Sequence, residues 1–184
     1  AGPASLACAR ELALFGYDVT IYEANEKAGG VLTYGIVPSR LPQEVVDFDI
    51  ATIEKLGVTF KFNETIDAAR LEELKAEYDA VFVGTGLWKS KVIDIPGKDL
   101  DGVVSAIDFL KDARLNKENM TLGDTVLVIG GGDVAMDCVT TAKQLGAKAT
   151  IVYRRTIEEA PADIDEVMAV PVSYTHLRAH ETAA

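Results

Sequence analysis

Two glycine-rich segments carry the spacing that dinucleotide recognition requires. Gly130-x-Gly132-x-x-Ala135 follows the apolar run Val126-Leu127-Val128-Ile129 and opens a helical pattern. In such a turn the first glycine permits a tight bend, and the second lets a pyrophosphate approach backbone N–H groups. The small third residue lets helix and strand pack closely. The alternative is a strand–helix turn that holds no nucleotide. Arg154-Arg155 stand just past the next strand pattern, residues 150–153. An acidic residue there would accept the ribose 2′-hydroxyl of NAD(H). Arginines instead favour the 2′-phosphate of NADP(H), by charge and forked hydrogen bonds. NADP(H) is therefore expected over NAD(H), which stays as the alternative. A solvated basic pair balanced by Glu158 and Glu159 is the non-functional reading of the same residues.

The first segment carries the opposite signature. Gly2 and Ser5 fit the last two positions of a similar turn whose first glycine would precede Ala1. The strand pattern of residues 18–23 ends in Glu23, about 20 residues past Gly2, where a carboxylate binds an adenosine ribose through its free hydroxyls. A surface glutamate is the plain alternative. Gly29-Gly30 follow.

Other chemistries are excluded. The only histidines are His176 and His180, both in a terminal stretch set aside below, so histidine general-base chemistry, triads and histidine-held metals drop out. The two cysteines, Cys8 and Cys138, form no C-x-x-C pair. A redox dithiol, a cysteine-rich zinc site and an iron–sulfur site within this chain are excluded with it. Both are expected as small buried apolar residues. The 184 residues are 48% hydrophobic and 26% charged, an ordinary globular composition. The net charge of −11 offers no basic footprint for DNA or an anionic membrane. No apolar run approaches the roughly 18 residues of a membrane span, and no signal peptide opens the chain.

The elements that must position these residues alternate. Leu6, Cys8, Ala9, Leu12, Ala13 and Phe15 form a helical stripe ended by Gly16. A strand over 18–23 and a Gly-rich loop over 26–42 follow. A helix from Pro42 shows Val45, Val46, Phe48, Ile50, Ile53 and Leu56 and stops at Gly57. A strand at 58–62, a short helix at 71–77 and a buried strand at 79–84 ending in Gly84-Thr85-Gly86 complete the first unit. Pro96-Gly97 and Asp101-Gly102 mark a connector. Ser105 caps a helix through Leu115. Then strand 125–129, the glycine turn, helix 134–145 and strand 150–153 repeat the first pattern. The expected fold is α/β: two Rossmann-like dinucleotide-binding domains with parallel sheets, both incomplete. Their boundaries are 1–87 and 105–171, with a connector over 88–104.

Both ends look abrupt. No strand precedes the glycine turn at Gly2, so an earlier start is expected. Residues 172–184 read like a translated sequencing adapter of the transposase-based kind, and are expected to be non-native. A genuine polar tail is the alternative.

The residues also resemble a known family. Glu23-x5-Gly29-Gly30, Gly35-Ile36 and Arg40-Leu41-Pro42 resemble the FAD-binding region of the glutamate synthase small-subunit family. That family includes the flavin halves of dihydropyrimidine dehydrogenases and of NADPH:ferredoxin oxidoreductases. Val83-Gly84-Thr85-Gly86 resembles its strand-end turn, and Ile95-Pro96-Gly97 with Gly102-Val103 its connector. Gly130-Gly131-Gly132-Asp133-Val134-Ala135-Met136-Asp137 resembles its nucleotide turn, and Tyr153-Arg154-Arg155 the phosphate end. The likeness runs in order over residues 1–170. It implies that Ala1, Gly2, Pro3, Ala4, Ser5, the stretch from Glu23 to Val31 with Gly29 and Gly30, and Arg40 contact FAD. The main chain near Ile66 would meet the adenine, with Gly84, Thr85 and Gly86 at the handover between domains. Gly130, Gly131, Gly132, Asp133, Val134, Arg154 and Arg155 would hold NADP(H).

The resemblance implies an oxidoreductase of the cytoplasm. It would pass electrons from NAD(P)H through FAD to iron–sulfur centres or a partner subunit, with no residue acting as acid or base. The clusters would not be ligated by this chain. Arg40-Leu41-Pro42-Gln43 and Leu74-Lys75-Ala76-Glu77-Tyr78 lean toward pyrimidine reduction. Glutamate synthase and ferredoxin reduction stay as alternatives. Rivals of another class are a nucleotide-binding module without turnover and an inactive piece. An empty slot between strands 19–23 and 80–84 would leave ladder groups unpaired, at about 1–3 kcal/mol each if buried. This chain by itself is therefore expected to bind FAD poorly.

Overall fold

In the computed structural model, residues 1–90, 93–172 and 177–179 are described. The chain separates into two units, residues 1–88 and 89–184.

In the first unit, helix α1 (Pro3–Leu14) starts with Gly2 as its N-cap and proline at its first position, where a missing N–H costs nothing. Strand β1 (Thr20–Glu23) pairs in parallel with β2 (Thr59–Phe62), Glu23 opposite Phe62. A single helical turn α2 (Val31–Tyr34) lies inside the glycine-rich loop, and α3 (Gln43–Glu54) leads into β2. Helix α4 (Ala68–Glu77) begins three residues before the sequence-predicted start. The Asp67 carboxylate accepts the Arg70 N–H at 2.8 Å, supplying the cap that the apolar spacing does not show.

The core joins Leu6 and Ala9 of α1, Ile21 of β1, Val46, Ile50 and Ile53 of α3, and Val58. Burying each of the larger side chains stabilises by about 1.5–3 kcal/mol. The apolar faces are narrower than their patterns predict. Phe15, at 76% exposed, and Phe48, at 71%, point to solvent, because only the i, i+4, i+7 row of α3 meets its neighbours.

The sequence-predicted strand at 79–84 is a correction. These residues form no ladder, and Val81, Phe82 and Val83 are exposed. A β-branched, apolar run becomes a strand only when a neighbour pairs its backbone groups, and the described residues supply none there. Tyr22 and Tyr78 anchor the start of this segment hydroxyl to hydroxyl at 3.1 Å, and Lys61 donates to the Tyr22 oxygen at 3.2 Å. The Tyr78 bond first, and then Lys61, outweigh desolvation and hold the Tyr22 phenol below its ordinary value.

The second unit repeats the plan. Ser105 caps α5 (Ala106–Leu115), its hydroxyl accepting the Asp108 N–H at 3.2 Å. Strand β3 (Thr125–Ile129) pairs in parallel with β4 (Lys148–Tyr153), and α6 (Asp133–Gln144) crosses between them. The face of α6 that carries Met136, Val139 and Ala142 is buried, as is Ile151 of β4. Leu127 and Ile129, on the other side of β3, stay exposed. Helix α7 (Ile164–Val172) packs on α6.

Within residues 172–184, set aside on sequence grounds, one short segment pairs with the second sheet. Residues Leu177–Ala179 form strand β5, parallel to β4 with Tyr153 opposite Ala179. His176, His180 and the rest of that stretch past Val172 lie outside the described residues, as do Lys91 and Val92 of the connector. Cys138 is buried and Cys8 half-buried. Desolvation, with Asp137 adding to it, pushes the Cys138 thiol up to about 12, so it stays protonated and inert.

Candidate functional site

The first cradle forms where α1, β1 and the glycine-rich loop meet. Glu23, the last residue of β1, is 8% exposed. Its Oε2 accepts from the Ala1 nitrogen at 2.6 Å. Its Oε1 accepts the Asn25 N–H at 2.9 Å and Asn25 Nδ2 at 2.7 Å. Burial is the largest single influence and pushes this carboxyl up. The hydrogen bonds from Ala1 and Asn25 together outweigh it, so the group is held below the usual carboxylate range. A carboxylate fixed at the end of a parallel strand beside a helix N-terminus is the arrangement that receives a ribose diol.

Backbone packs on backbone around it. Gly29 donates its N–H to the Ala1 carbonyl at 2.8 Å. A Cβ on Gly30 would lie 2.7 Å from the Gly2 Cα, so position 30 has no room for a side chain. Ser5 donates to the Gly84 carbonyl at 3.2 Å, which brings the 84–86 turn against α1 although no ladder holds it. Thr33 seals the loop by donating to the Ala28 carbonyl at 2.7 Å. The Tyr34 hydroxyl, buried, accepts the Lys27 N–H at 2.9 Å.

Of the sequence-predicted residues, Ala1, Gly2, Ser5, Glu23, Gly29, Gly30 and Gly84 come together in this cluster. Pro3 and Ala4 lie on the exposed first turn of α1, and Val31 opens α2. Ile66 is half-buried in the loop after β2, where the Asn63 and Glu64 N–H groups bond to the Asn25 and Glu23 carbonyls. Arg40 stands exposed on the turn that its N–H closes to the Val37 carbonyl. Thr85 and Gly86 are exposed. Asn25 lies inside the 23–31 stretch that the resemblance implies, but its role as the donor that holds Glu23 was not foreseen. Its only signal is its place two positions after the acidic strand end. A groove of about 480 Å³ between α4 and residues 79–83 contains none of these residues.

The second cradle is built alike. Gly130 donates its N–H to the Val152 carbonyl at 3.0 Å, continuing the ladder into the turn. A Cβ on Gly130 would stand 3.5 Å from the Ala135 Cβ, the close helix–strand approach for which the small residue is needed. Gly132 is the N-cap of α6; the Ala135 N–H already bonds to its carbonyl at 2.8 Å, which leaves the Asp133 and Val134 N–H groups without an intrahelical acceptor at the positive end of the helix dipole. Arg154 and Arg155 are exposed just beyond β4.

The Tyr153 ring covers Gly131. A Cβ there would lie 2.7–2.9 Å from three ring carbons. Gly131→Ala is therefore expected to destabilise the second unit by about 1–3 kcal/mol through overpacking. Thermal melts of Gly131→Ala, Tyr153→Ala and the double variant check this, because the cost must vanish when the ring is already gone. Equal losses in both backgrounds would contradict the contact.

In both cradles a glycine stands where a Cβ would collide, Gly30 against the Gly2 backbone and Gly131 against the Tyr153 ring. Among the described residues, no helix is long and apolar enough to cross a membrane.

Comparison with known proteins agrees. The chain is 46% identical over 168 residues to the "NAD-dependent dihydropyrimidine dehydrogenase subunit PreT" of Escherichia coli K12, with 90% of this chain and 40% of that protein covered. It is 38% identical over 184 residues to the "Glutamate synthase [NADPH] small chain" of Azospirillum brasilense, covering 91% of this chain and 37% of that protein. Among solved structures, a 2-naphthoyl-CoA reductase in complex with 2-naphthoyl-CoA superimposes with a TM-score of 0.78 at 25% identity, over 97% of this chain and 27% of that one. The chain thus spans about two fifths of the length of these curated relatives. A family model described as Pyridine nucleotide-disulphide oxidoreductase matches residues 1–170. The disulphide in that description has no counterpart in Cys8 and Cys138, which lie on helices of different units. With both glycine cradles and their strand-end residues inside the matched range, the chain belongs to the pyridine nucleotide-disulphide oxidoreductase family.

Proposed function

We propose that these residues belong to a longer cytoplasmic flavoprotein that takes electrons from NADPH and delivers them to a partner subunit or domain. The observation that carries this reading is the first cradle, in which Gly2 and Gly30 meet backbone to backbone beside the buried Glu23 carboxylate. There Glu23 would receive the adenosine ribose of FAD. The Gly2 to Ser5 turn and Gly29-Gly30 would admit its pyrophosphate, and the loop at Ile66 would flank its adenine. Residues 84–86 would lie at the handover to the second unit. Arg40 would add a positive charge from its exposed turn. In the second unit, the main chain of residues 130–134 would hold the nicotinamide dinucleotide, and Arg154 and Arg155 its 2′-phosphate.

When bound, the flavin supplies the two-electron to one-electron conversion, and the protein supplies position and electrostatics. Iron–sulfur centres as acceptors would have to be held elsewhere, because two distant cysteines cannot ligate a cluster. Relatives named as a subunit and as a small chain support a partner. The same two relatives favour pyrimidine reduction first and glutamate synthesis second. Exposed, unpaired Val81–Val83 support a domain layout in which a strand from outside residues 1–184 fills the slot between β1 and the 80–84 segment. The same layout leaves residues 172–184 as a non-native tail.

The nucleotide preference tests the reading. One relative is NAD-dependent by name and the other uses NADPH, so Arg154 and Arg155 decide. Hydrogen bonds to a charged group contribute about 1.5–3 kcal/mol, and about 1.4 kcal/mol is tenfold in affinity. Replacing both arginines by alanine is expected to weaken NADPH binding by roughly 10- to 100-fold while leaving NADH binding within about twofold. Titration of both nucleotides by fluorescence measures this. Equal losses for NADH and NADPH would overturn the 2′-phosphate assignment.

A further inference from the structure

Residues 154–163 turn back onto the second cradle. Tyr153 donates its hydroxyl proton to the Glu159 carbonyl at 3.1 Å while its ring lies on Gly131. Directly after the arginine pair, Thr156 and Glu159 form a capping box, with the Glu159 carboxylate accepting the Thr156 N–H at 3.2 Å. The far end returns to the glycine turn. The Ala162 N–H bonds to the Gly131 carbonyl at 3.1 Å, and the Pro161 ring lies 3.9 Å from where a Gly132 Cβ would be. The last tie is a side chain: Asp133 Oδ1 accepts the Asp163 N–H at 2.8 Å across 30 residues. Asp163 in turn accepts the Asp165 N–H at 2.9 Å at the start of α7.

We propose that residues 156–163 are a strap over the dinucleotide-binding turn and that Asp133 is its anchor. The Asp133 side chain is then a positioning group that sets how long the nucleotide is retained, and not itself a contact to it. This rests on the reading of residues 130–134 as the NADP(H) site. The chemistry supports it independently of motif. A carboxylate at the first position of α6, aimed at an incoming pyrophosphate, would repel it. Turned to the Asp163 N–H, the same carboxylate instead fixes the segment that begins at the two arginines, and so fixes where they can reach.

The variants Asp133→Ala and Asp133→Asn separate anchoring from charge, because asparagine keeps an acceptor oxygen and loses the charge. Two readouts are needed on the full-length protein: the release rate of NADP⁺ by stopped flow, and hydrogen exchange of the Ala162 and Asp163 amides. Asp133→Ala is expected to speed both by about five- to tenfold, the size of one lost hydrogen bond. Asp133→Asn is expected within about twofold of the unaltered protein. Asp133→Asn behaving like Asp133→Ala in both readouts would overturn the anchor. So would unchanged amide exchange in Asp133→Ala. Faster exchange in Asp133→Ala with no NADP⁺ binding by the unaltered protein would overturn the nucleotide site and leave only the strap.

Discussion

Gly30→Ala is expected to abolish the first cradle and to unfold much of the unit around it. The new Cβ would sit 2.7 Å from the Gly2 Cα, an approach that no rotamer change relieves because both partners are backbone. Gly30 also holds φ 55 with ψ −130, outside the regions that a side chain tolerates. Strain of about 1–3 kcal/mol adds to overpacking of about 1–3 kcal/mol. The sum is a large share of a small domain's stability. Gly16→Ala is the control. It shares a left-handed φ of 87, but nothing lies within 4 Å of its added Cβ. It is expected to cost only about 1–2 kcal/mol. The single tryptophan, Trp88, packs edge-on against Tyr34 with centroids 6.4 Å apart, so its fluorescence reports the first unit. Urea midpoints of the two variants followed at Trp88 check the contrast. Equal losses would mean that backbone strain alone matters and that the Gly2–Gly30 contact does not.

Glu23→Ala is the second large effect. Its carboxylate accepts from the Ala1 nitrogen and from both Asn25 donors, so truncating it leaves these donors without their acceptor. Each stranded donor costs about 1–3 kcal/mol. Glu23→Gln keeps an acceptor and is expected to cost less, about 1–3 kcal/mol.

The pH dependence has a definite sign. The folded-state pKa lies below that of the unfolded chain, about 4.3 for glutamate. The stabilisation is thus complete well above that value and is lost as pH falls through the lowered folded value. Urea midpoints at Trp88 should drop on acidification in the unaltered chain, and less so in Glu23→Gln. A midpoint that holds steady down to about pH 3 in the unaltered chain would contradict the pairing. A flavin-binding assay on the same variants, made in the full-length protein, reads function separately. Loss of the ribose acceptor should weaken FAD binding even in Glu23→Gln, whose fold survives.

Much of this site was legible in the sequence because it depends on local chemistry. Glycine spacing, an acidic residue closing a β-branched run and arginines closing another each follow from what backbone and phosphate require. What escaped was non-local. Residues 79–84 have a strand's composition, yet pairing needs a neighbour that composition cannot name. Phe15 and Phe48 fit helical stripes, but how wide a face is buried depends on what packs there. The role of Asn25 was invisible because it locks a carboxylate whose place is set by the fold. Asp133 reads as part of a nucleotide motif, and only the returning chain at Asp163 shows what its side chain holds. Leu177–Ala179 was set aside for its origin, while pairing with β4 depends only on backbone groups.

On the proposed reading the two cradles work in sequence, nicotinamide dinucleotide in one unit and flavin in the other. Anaerobic mixing of the purified full-length flavoprotein with NADPH, followed by flavin absorbance, tests it most directly. The flavin band is expected to bleach on mixing, and to bleach at least about tenfold more slowly when Arg154 and Arg155 are both alanine. A protein without flavin, or one whose flavin bleaches equally fast with and without the arginines, would contradict it.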